Sequence, residues 1–164
     1  MAKFYYPIAL NVEGKRVLIA GGGQVAERKV KTLVEFGARV YVVSPDLTKA
    51  LKGMVKSRKI AWFNRAITYS DIKGKDIIVA ATSDAATNRK ISRWSRKQSA
   101  LVNVVDNAKL SSFISPAVFH ANGAVIAVYT HGKAPALSRD LKNFLKENQH
   151  EFLSYRNRLQ KRAH

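Results

Sequence analysis

The chain has 164 residues, of which 46% are apolar, enough for one folded domain with at most one appended element. It contains no cysteine, which excludes disulfides and thiolate metal sites, and no apolar run approaches the roughly 20 residues of a membrane span. Its 29 Lys and Arg outnumber 11 Asp and Glu, giving a net charge of +18 that attracts polyanions.

The basic residues are spread along the whole chain rather than gathered in one stretch. Nucleic acid, anionic lipid and a small polycarboxylate or phosphate compound are all candidate ligands of such a surface. No helix-turn-helix, zinc or RNA-binding signature accompanies the charge, so we expect no nucleic-acid partner. The N-terminus carries no signal-peptide pattern, so we expect a cytoplasmic protein with no membrane partner.

The first predicted element is a strand over residues 15–20, whose continuous apolar core indicates burial on both faces. Three glycines follow, and apolar residues then recur at helical spacing over 25–36, where Gly37 ends the helix. The β-branched and aromatic residues of 39–43 predict a second strand. A short helix over 47–55, with Asp46 as its N-cap, is expected next.

Three more strands and one helix complete this pattern. Strands alternating with helices are typical of an α/β protein with a parallel, doubly wound sheet and right-handed crossovers. The further strands are predicted over 59–63, 76–81 and 101–105, and the helix over 85–98.

The pattern changes beyond about residue 110. Two extended stretches, 113–119 and 124–129, are joined by residues 120–123, which contain the hairpin signal Asn-Gly. Pro116 in the first stretch favours an edge position or a bend. Because this segment is too small to bury a core alone, we expect a homodimer to cover it. Helices are predicted over 136–149 and 151–162, and the domains as 1–110 and a hairpin and helical segment over 111–164.

A glycine pattern, Gly21-x-Gly23-x-x-Ala26, lies between the first strand and the first helix. In this context it predicts a Rossmann-type dinucleotide site, with the pyrophosphate at the helix N-terminus. Gly21 would make the tight turn, Gly23 would admit the phosphates and Ala26 would allow close packing. A glycine-rich turn without a ligand is the alternative. The candidate cofactor residues here are Gly21, Gly22, Gly23, Gln24 and Val25.

The residue after the second strand decides how the adenosine ribose is held. An acidic side chain usually ends this strand, but here Ser44 takes that place and Asp46 follows two residues later. The choice between NAD and NADP is therefore open, although the absence of an Arg directly after the strand favours NAD. Pro45 and Asp46 are cofactor candidates, as are Thr82 and Asp84 after the fourth strand, where Asp84 could instead cap the next helix.

Six segments occur in a fixed order between residue 6 and about residue 140. They are Tyr6-Pro7-Ile8, residues 14–29 (GKRVLIAGGGQVAERK), 80–84 (AATSD) with Asn88, 103–106 (NVVD), 113–117 (FISPA) and 130–137 (THGKAPAL). Together they resemble the precorrin-2 dehydrogenase/sirohydrochlorin ferrochelatase family, the N-terminal module of siroheme synthase.

That resemblance implies NAD-dependent oxidation of precorrin-2, a polycarboxylate tetrapyrrole, to sirohydrochlorin, followed in some members by iron insertion. It also implies a homodimer and places Asp106, Asn103 and Thr130 near the substrate as catalytic candidates. Asp106 ends the fifth strand, at the sheet edge where ligands bind, although an Asp-Asn pair also starts ordinary loops. Asn103 could instead bond backbone, and Thr130 could be an ordinary strand-end residue.

The histidine spacing predicts no fixed metal site. Longer members of the family continue into a larger helical domain, which leaves iron insertion by this chain open. A non-catalytic, NAD-sensing Rossmann regulatory domain is the alternative function, and it would bind NAD without turnover.

Overall fold

A computed structural model of the protein describes residues 5–105, 107–121 and 123–162. The chain forms two compact units, one of residues 5–113 and one of the residues beyond 113. None of the helices in these described ranges is long and apolar enough to cross a membrane.

A five-stranded parallel sheet forms the first unit, in the order β3-β2-β1-β4-β5. This order confirms the predicted Rossmann-type architecture, since the chain winds first to one side of β1 and then to the other. The strands are β1 (Arg16–Ala20), β2 (Arg39–Val43), β3 (Ala61–Phe63), β4 (Ile77–Ala80) and β5 (Leu101–Val104).

The central strand β1 contributes to a hydrophobic core on each face of the sheet. Val17 and Ile19 pack into one core, and Leu18 and Ala20 into the other. This alternation explains the unbroken apolar sequence of β1, because both faces of a parallel sheet are covered by helices.

The helices of this unit differ from the prediction in two places. The second helix begins at Lys49 and is capped by the hydroxyl of Thr48, which accepts from Leu51 N–H, so the prediction of Asp46 as its N-cap was wrong. A one-turn helix at Tyr69–Ile72 was not predicted because it is too short to produce helical periodicity. The helices are α1 (Gln24–Glu35), α2 (Lys49–Lys56), α3 (Tyr69–Ile72) and α4 (Ala85–Lys97).

The outer edge of β5 is covered by the segment that follows it. The hydroxyl of Ser112 accepts from Val102 N–H at 2.8 Å, and that of Ser111 accepts from Val104 N–H at 2.8 Å. Ser112 N–H donates back to Val102 C=O at 2.7 Å. Residues 111–113 therefore belong to the first unit, since they satisfy backbone groups of its edge strand.

The second unit contains a hairpin and two helices. Antiparallel strands β6 (Ala117–Ala121) and β7 (Ala124–Val128) pair as predicted, and β6 begins directly after Pro116. His120 and Ala121, predicted as part of the link, instead pair within the ladder. Asn122 lies outside the described residues. Both strands contact α5 (Pro135–Glu147), which α6 (Gln149–Arg162) follows.

Candidate functional site

A cavity of about 950 Å³ opens at the carboxyl ends of the strands in the first unit. Its walls come from the loop after β1, the segments after β2 and β4, and Val105 after β5. Ligands of open α/β sheets bind at this edge. Every cofactor candidate lines the cavity, namely Gly21, Gly22, Gly23, Gln24, Val25, Pro45, Asp46, Thr82 and Asp84.

Close packing requires two of the three loop glycines. Gly21 has a φ of +118°, and a Cβ there would overlap the carbonyl group of Ala81. A Cβ on Gly22 would overlap the carbonyl oxygen of Asp46. The loop is also tied to the next segment, because Thr48 N–H donates to Gly22 C=O at 3.0 Å. These contacts fix the path of the loop beside β4 and the segment after β2.

Gly23 differs from its neighbours, because a Cβ there would meet nothing within 4 Å. It is the N-cap of α1, its backbone is extended, and α1 has no side-chain cap. The N–H groups of the first helical turn are thus not covered by a side chain at the cavity wall. Free N–H groups and the positive end of the helix dipole attract a phosphate. The glycine loop therefore fits the pyrophosphate of a dinucleotide.

An acidic side chain also lies in the first turn of α1. The carboxylate of Glu27 accepts from Lys31 Nζ at 2.5 Å and from the Thr48 hydroxyl at 2.6 Å. The Lys31 bond, followed by the Thr48 bond, lowers the pKa of Glu27. Its negative charge is thus matched locally by Lys31.

Asp46 projects into solvent at the cavity rim beyond the end of β2. Its carboxylate accepts from Leu47 N–H at 2.8 Å and pairs with Lys52 Nζ at 2.9 Å. The hydrogen bond from Lys52, followed by that from Leu47, lowers the pKa of Asp46. Ser44, which holds the position directly after the strand, is buried and also lines the cavity.

The start of α4 forms the opposite wall. Asp84 caps this helix by accepting from the N–H groups of Ala86 at 2.9 Å and Thr87 at 3.0 Å. The Thr82 hydroxyl donates to the side-chain oxygen of Asn88 at 2.8 Å, and the Asn88 amide donates to Thr82 C=O at 3.0 Å. Thr82 and Asp84 therefore shape the wall while their own polar atoms are engaged within the protein.

The catalytic candidates have different surroundings. Asp106 lies outside the described residues, but Val105 before it lines the cavity. Asn103 is buried, and its amide donates to Phe113 C=O at 3.1 Å. The hydroxyl of Thr130, in the second unit, lies 3.0 Å from Ala134 C=O and 2.8 Å from the Ser138 hydroxyl at the start of α5.

The family whose description is "Putative NAD(P)-binding" matches residues 8–117 of the chain. The chain belongs to this family. The match covers the glycine loop and the whole parallel sheet, and it confirms a nicotinamide dinucleotide as the class of cofactor.

Individual relatives of this NAD(P)-binding protein are siroheme synthases. That of Nitrosomonas eutropha is 37% identical over 139 residues, which are 84% of this chain and 29% of that protein. That of Neisseria meningitidis serogroup C is 38% identical over 141 residues, or 86% of this chain and 29% of that protein. The chain thus spans under a third of the length of these curated relatives.

A solved structure described as "SirC, precorrin-2 dehydrogenase" has the same fold. It superposes with a TM-score of 0.75 at 27% identity, covering 88% of this chain and 71% of that one. Together with the siroheme synthases, it confirms the family resemblance that the ordered sequence segments predict.

Sequence reasoning missed two features of the cavity. Ala66 and Ile67, between β3 and α3, line it although no motif marks them. The pair between Asp46 and Lys52 was also missed, because the short helix was expected to begin with Asp46 as its cap. With Thr48 as the N-cap, Lys52 lies one turn further along the same side of α2 as Thr48, which lines the cavity.

Proposed function

We propose that this protein catalyses the NAD-dependent oxidation of precorrin-2 to sirohydrochlorin, a step of siroheme biosynthesis. The carrying observation is the cavity whose glycine loop leaves the N-terminus of α1 without a side-chain cap. The relatives give the reaction its substrate class, since one is described as a precorrin-2 dehydrogenase and others as siroheme synthases.

The glycine loop would bind and orient the dinucleotide. The N–H groups at the start of α1 hold the pyrophosphate, and Gly23 leaves room for it. Asp46 accepts hydrogen bonds from the adenosine ribose, as the acid near the end of the second strand does in this fold. When bound, NAD⁺ supplies the hydride acceptor.

Asp106 would take the proton that precorrin-2 loses as the hydride leaves. A carboxylate suits this role because it is ionised at neutral pH and can act as a general base. The backbone on both sides of Asp106 is anchored, since Val105 N–H donates to Ala80 C=O at 2.9 Å and the Ser111 hydroxyl donates to Asn107 C=O at 3.0 Å. Asn103 contributes by holding Phe113 in place.

The substrate would reach this site through the field of the whole protein. Precorrin-2 is a polycarboxylate, and a chain with a net charge of +18 draws such an anion towards it. Arg and Lys side chains then bind carboxylates through charge-assisted hydrogen bonds.

The protein would work as a homodimer joined through its second unit. Large apolar side chains on α5 and α6 are exposed, and those on α5 recur at helical spacing. Exposed apolar surface of this kind is typical of an interface. The residues are Leu137, Leu141 and Phe144 on α5, and Phe152, Tyr155 and Leu159 on α6.

An anaerobic assay with pure protein, precorrin-2 and NAD⁺ tests the reaction. We expect NADH and sirohydrochlorin to appear together by absorbance. Folded protein that binds NAD⁺ but forms neither product would refute the dehydrogenase and favour the NAD-sensing alternative. A second arm, with sirohydrochlorin and Co²⁺ or Fe²⁺, measures metal insertion.

Two variants test the proposed roles. Asp106→Asn should lower turnover while leaving NAD⁺ affinity nearly intact, and unchanged turnover would remove Asp106 from the mechanism.

Phe144→Lys should shift the mass measured by light scattering from dimer to monomer. A wild-type monomer at micromolar concentration would refute the dimer.

A further inference from the structure

The rim of the cavity where the adenosine ribose would lie carries a matched pair of charges. The Asp46 carboxylate, which lines the cavity, is 2.9 Å from Lys52 Nζ. Both side chains are more than half exposed, with 83% of the Asp46 side chain accessible. An exposed ion pair is weak and opens readily, so either partner can turn to a ligand.

This pair changes how the rim would discriminate between the two nicotinamide dinucleotides. NADP carries an additional phosphate on the 2′-oxygen of the ribose, where NAD has a hydroxyl. An unpaired carboxylate binds the hydroxyl and repels the phosphate, whereas an ammonium group attracts the phosphate. Here a carboxylate and an ammonium group are present together.

We propose that Lys52 is a specificity-determining residue, which neutralises Asp46 and binds a 2′-phosphate so that the site accepts NADP as well as NAD. This inference rests on the proposed function only in placing the dinucleotide in the cavity. Asp46 serves the ribose hydroxyls of NAD, and Lys52 serves the phosphate of NADP.

Arg65, which precedes the cavity-lining Ala66 in the chain, is already engaged. The guanidinium of Arg65 donates to both carboxylate oxygens of Asp71, at 2.8 and 2.6 Å. Both charges of that pair are held by two bonds, so Arg65 is less free to turn to a ligand than Lys52. Lys56, at the last residue of α2, is one helical turn beyond Lys52 and provides a matched control.

The test measures the dissociation constants of NAD⁺ and NADP⁺ by calorimetry, without substrate. For the wild type we expect the two constants to lie within about tenfold of each other, since one charge-assisted contact offsets the other. Lys52→Met should weaken NADP⁺ relative to NAD⁺ by about tenfold, as expected for the loss of one hydrogen bond to a charged group. Lys56→Met should change both constants by the same small factor.

The reciprocal variant sharpens the assignment. Asp46→Asn removes the repulsion between the carboxylate and the 2′-phosphate and frees Lys52. The ratio of the two dissociation constants should therefore shift in favour of NADP⁺ by about tenfold. Adding Lys52→Met to Asp46→Asn should abolish that gain.

The inference is overturned if Lys52→Met and Lys56→Met change the ratio equally, or if the double variant keeps the gain. Failure of the wild type to bind either dinucleotide would instead refute the proposed cofactor site. Binding with the expected ratios but without turnover of precorrin-2 would refute the proposed reaction and leave the role of Lys52 standing.

Discussion

The helices α1 and α4 begin at the same cavity, but their N-termini are prepared differently. At α4, the carboxylate of Asp84 accepts from two backbone N–H groups and so closes the helix end. At α1, Gly23 occupies the cap position and supplies no side chain. A helix N-terminus can therefore be stabilised by a carboxylate of the protein or left open for the negative charge of a ligand.

Other helices of the first unit resemble α4 in this respect. The Thr48 hydroxyl caps α2, and Asp71 accepts from Thr68 N–H at the start of α3. An N-cap side chain raises the free energy of unfolding, so the uncapped α1 makes the fold slightly less stable. Its free N–H groups are then available to bind a phosphate.

Gly22→Ala should have the largest effect, because the added Cβ would overlap the backbone of Asp46. We expect a loss of about 3 kcal/mol in the free energy of unfolding, the upper range for forcing an atom into a packed site. Urea denaturation monitored by circular dichroism measures it. A variant as stable as the wild type would show that the loop and the segment after β2 are not in close contact.

Gly23→Asp should convert the N-terminus of α1 into a capped end like that of α4. The side chain has open space, so folding should be retained, while its charge would oppose the pyrophosphate. We expect NAD⁺ affinity to fall roughly 100-fold, the product of a lost helix-end contact and like-charge repulsion. Gly23→Asn is the neutral control and should lose less affinity. Equal losses in the two variants would argue against a charge effect.

Asp84→Ala should leave the N-terminus of α4 without a side-chain cap, but it should not create a second phosphate site. The melting temperature should fall by a few degrees on the loss of two capping bonds, which scanning calorimetry measures. NAD⁺ affinity should stay within about threefold, since the carboxylate is engaged with the helix backbone. A much larger loss of affinity would mean that Asp84 contacts the cofactor directly.

The pH dependence of stability should show the smallest effect, at α3. The bidentate bond from Arg65 lowers the pKa of Asp71 from 3.8 to about 2, against the opposing effect of burial. Because the pKa of Asp71 is lower in the folded than in the unfolded state, the ionised carboxylate stabilises the fold. This contribution is complete above about pH 4 and is lost as the pH falls towards 2. Asp71→Asn should lower the stability at pH 5 and flatten its decline below pH 4. Parallel curves for the two proteins would contradict this origin.

Much of the fold could be predicted because its signals are local. The residues of β2 match the predicted 39–43, and the unbroken apolar run of β1 identifies a strand covered on both faces. The glycine loop could also be read from sequence, since a strand, a turn and a helix adjoin there. These features depend on periodicity and neighbouring residues alone.

The features that sequence reasoning missed depend on contacts between distant segments. A glycine is needed at position 22 because the carbonyl oxygen of Asp46 leaves no room for a Cβ there. The two residues come together only because β2 pairs with β1. Thr48 caps α2 in place of Asp46, and its hydroxyl also donates to Glu27 of α1, a contact between segments 21 residues apart in sequence. Asp106 was chosen from the position of β5, and its catalytic role stays a prediction.

The serine-covered edge of β5 has a consequence for the behaviour of the protein in concentrated solution. A bare edge strand presents unpaired N–H and C=O groups to any other extended chain and so promotes aggregation. The hydroxyls of Ser111 and Ser112 occupy the N–H groups of Val104 and Val102 before another molecule can pair with them. The short segment that anchors the backbone around the proposed catalytic residue thereby also keeps this edge from seeding intermolecular sheets.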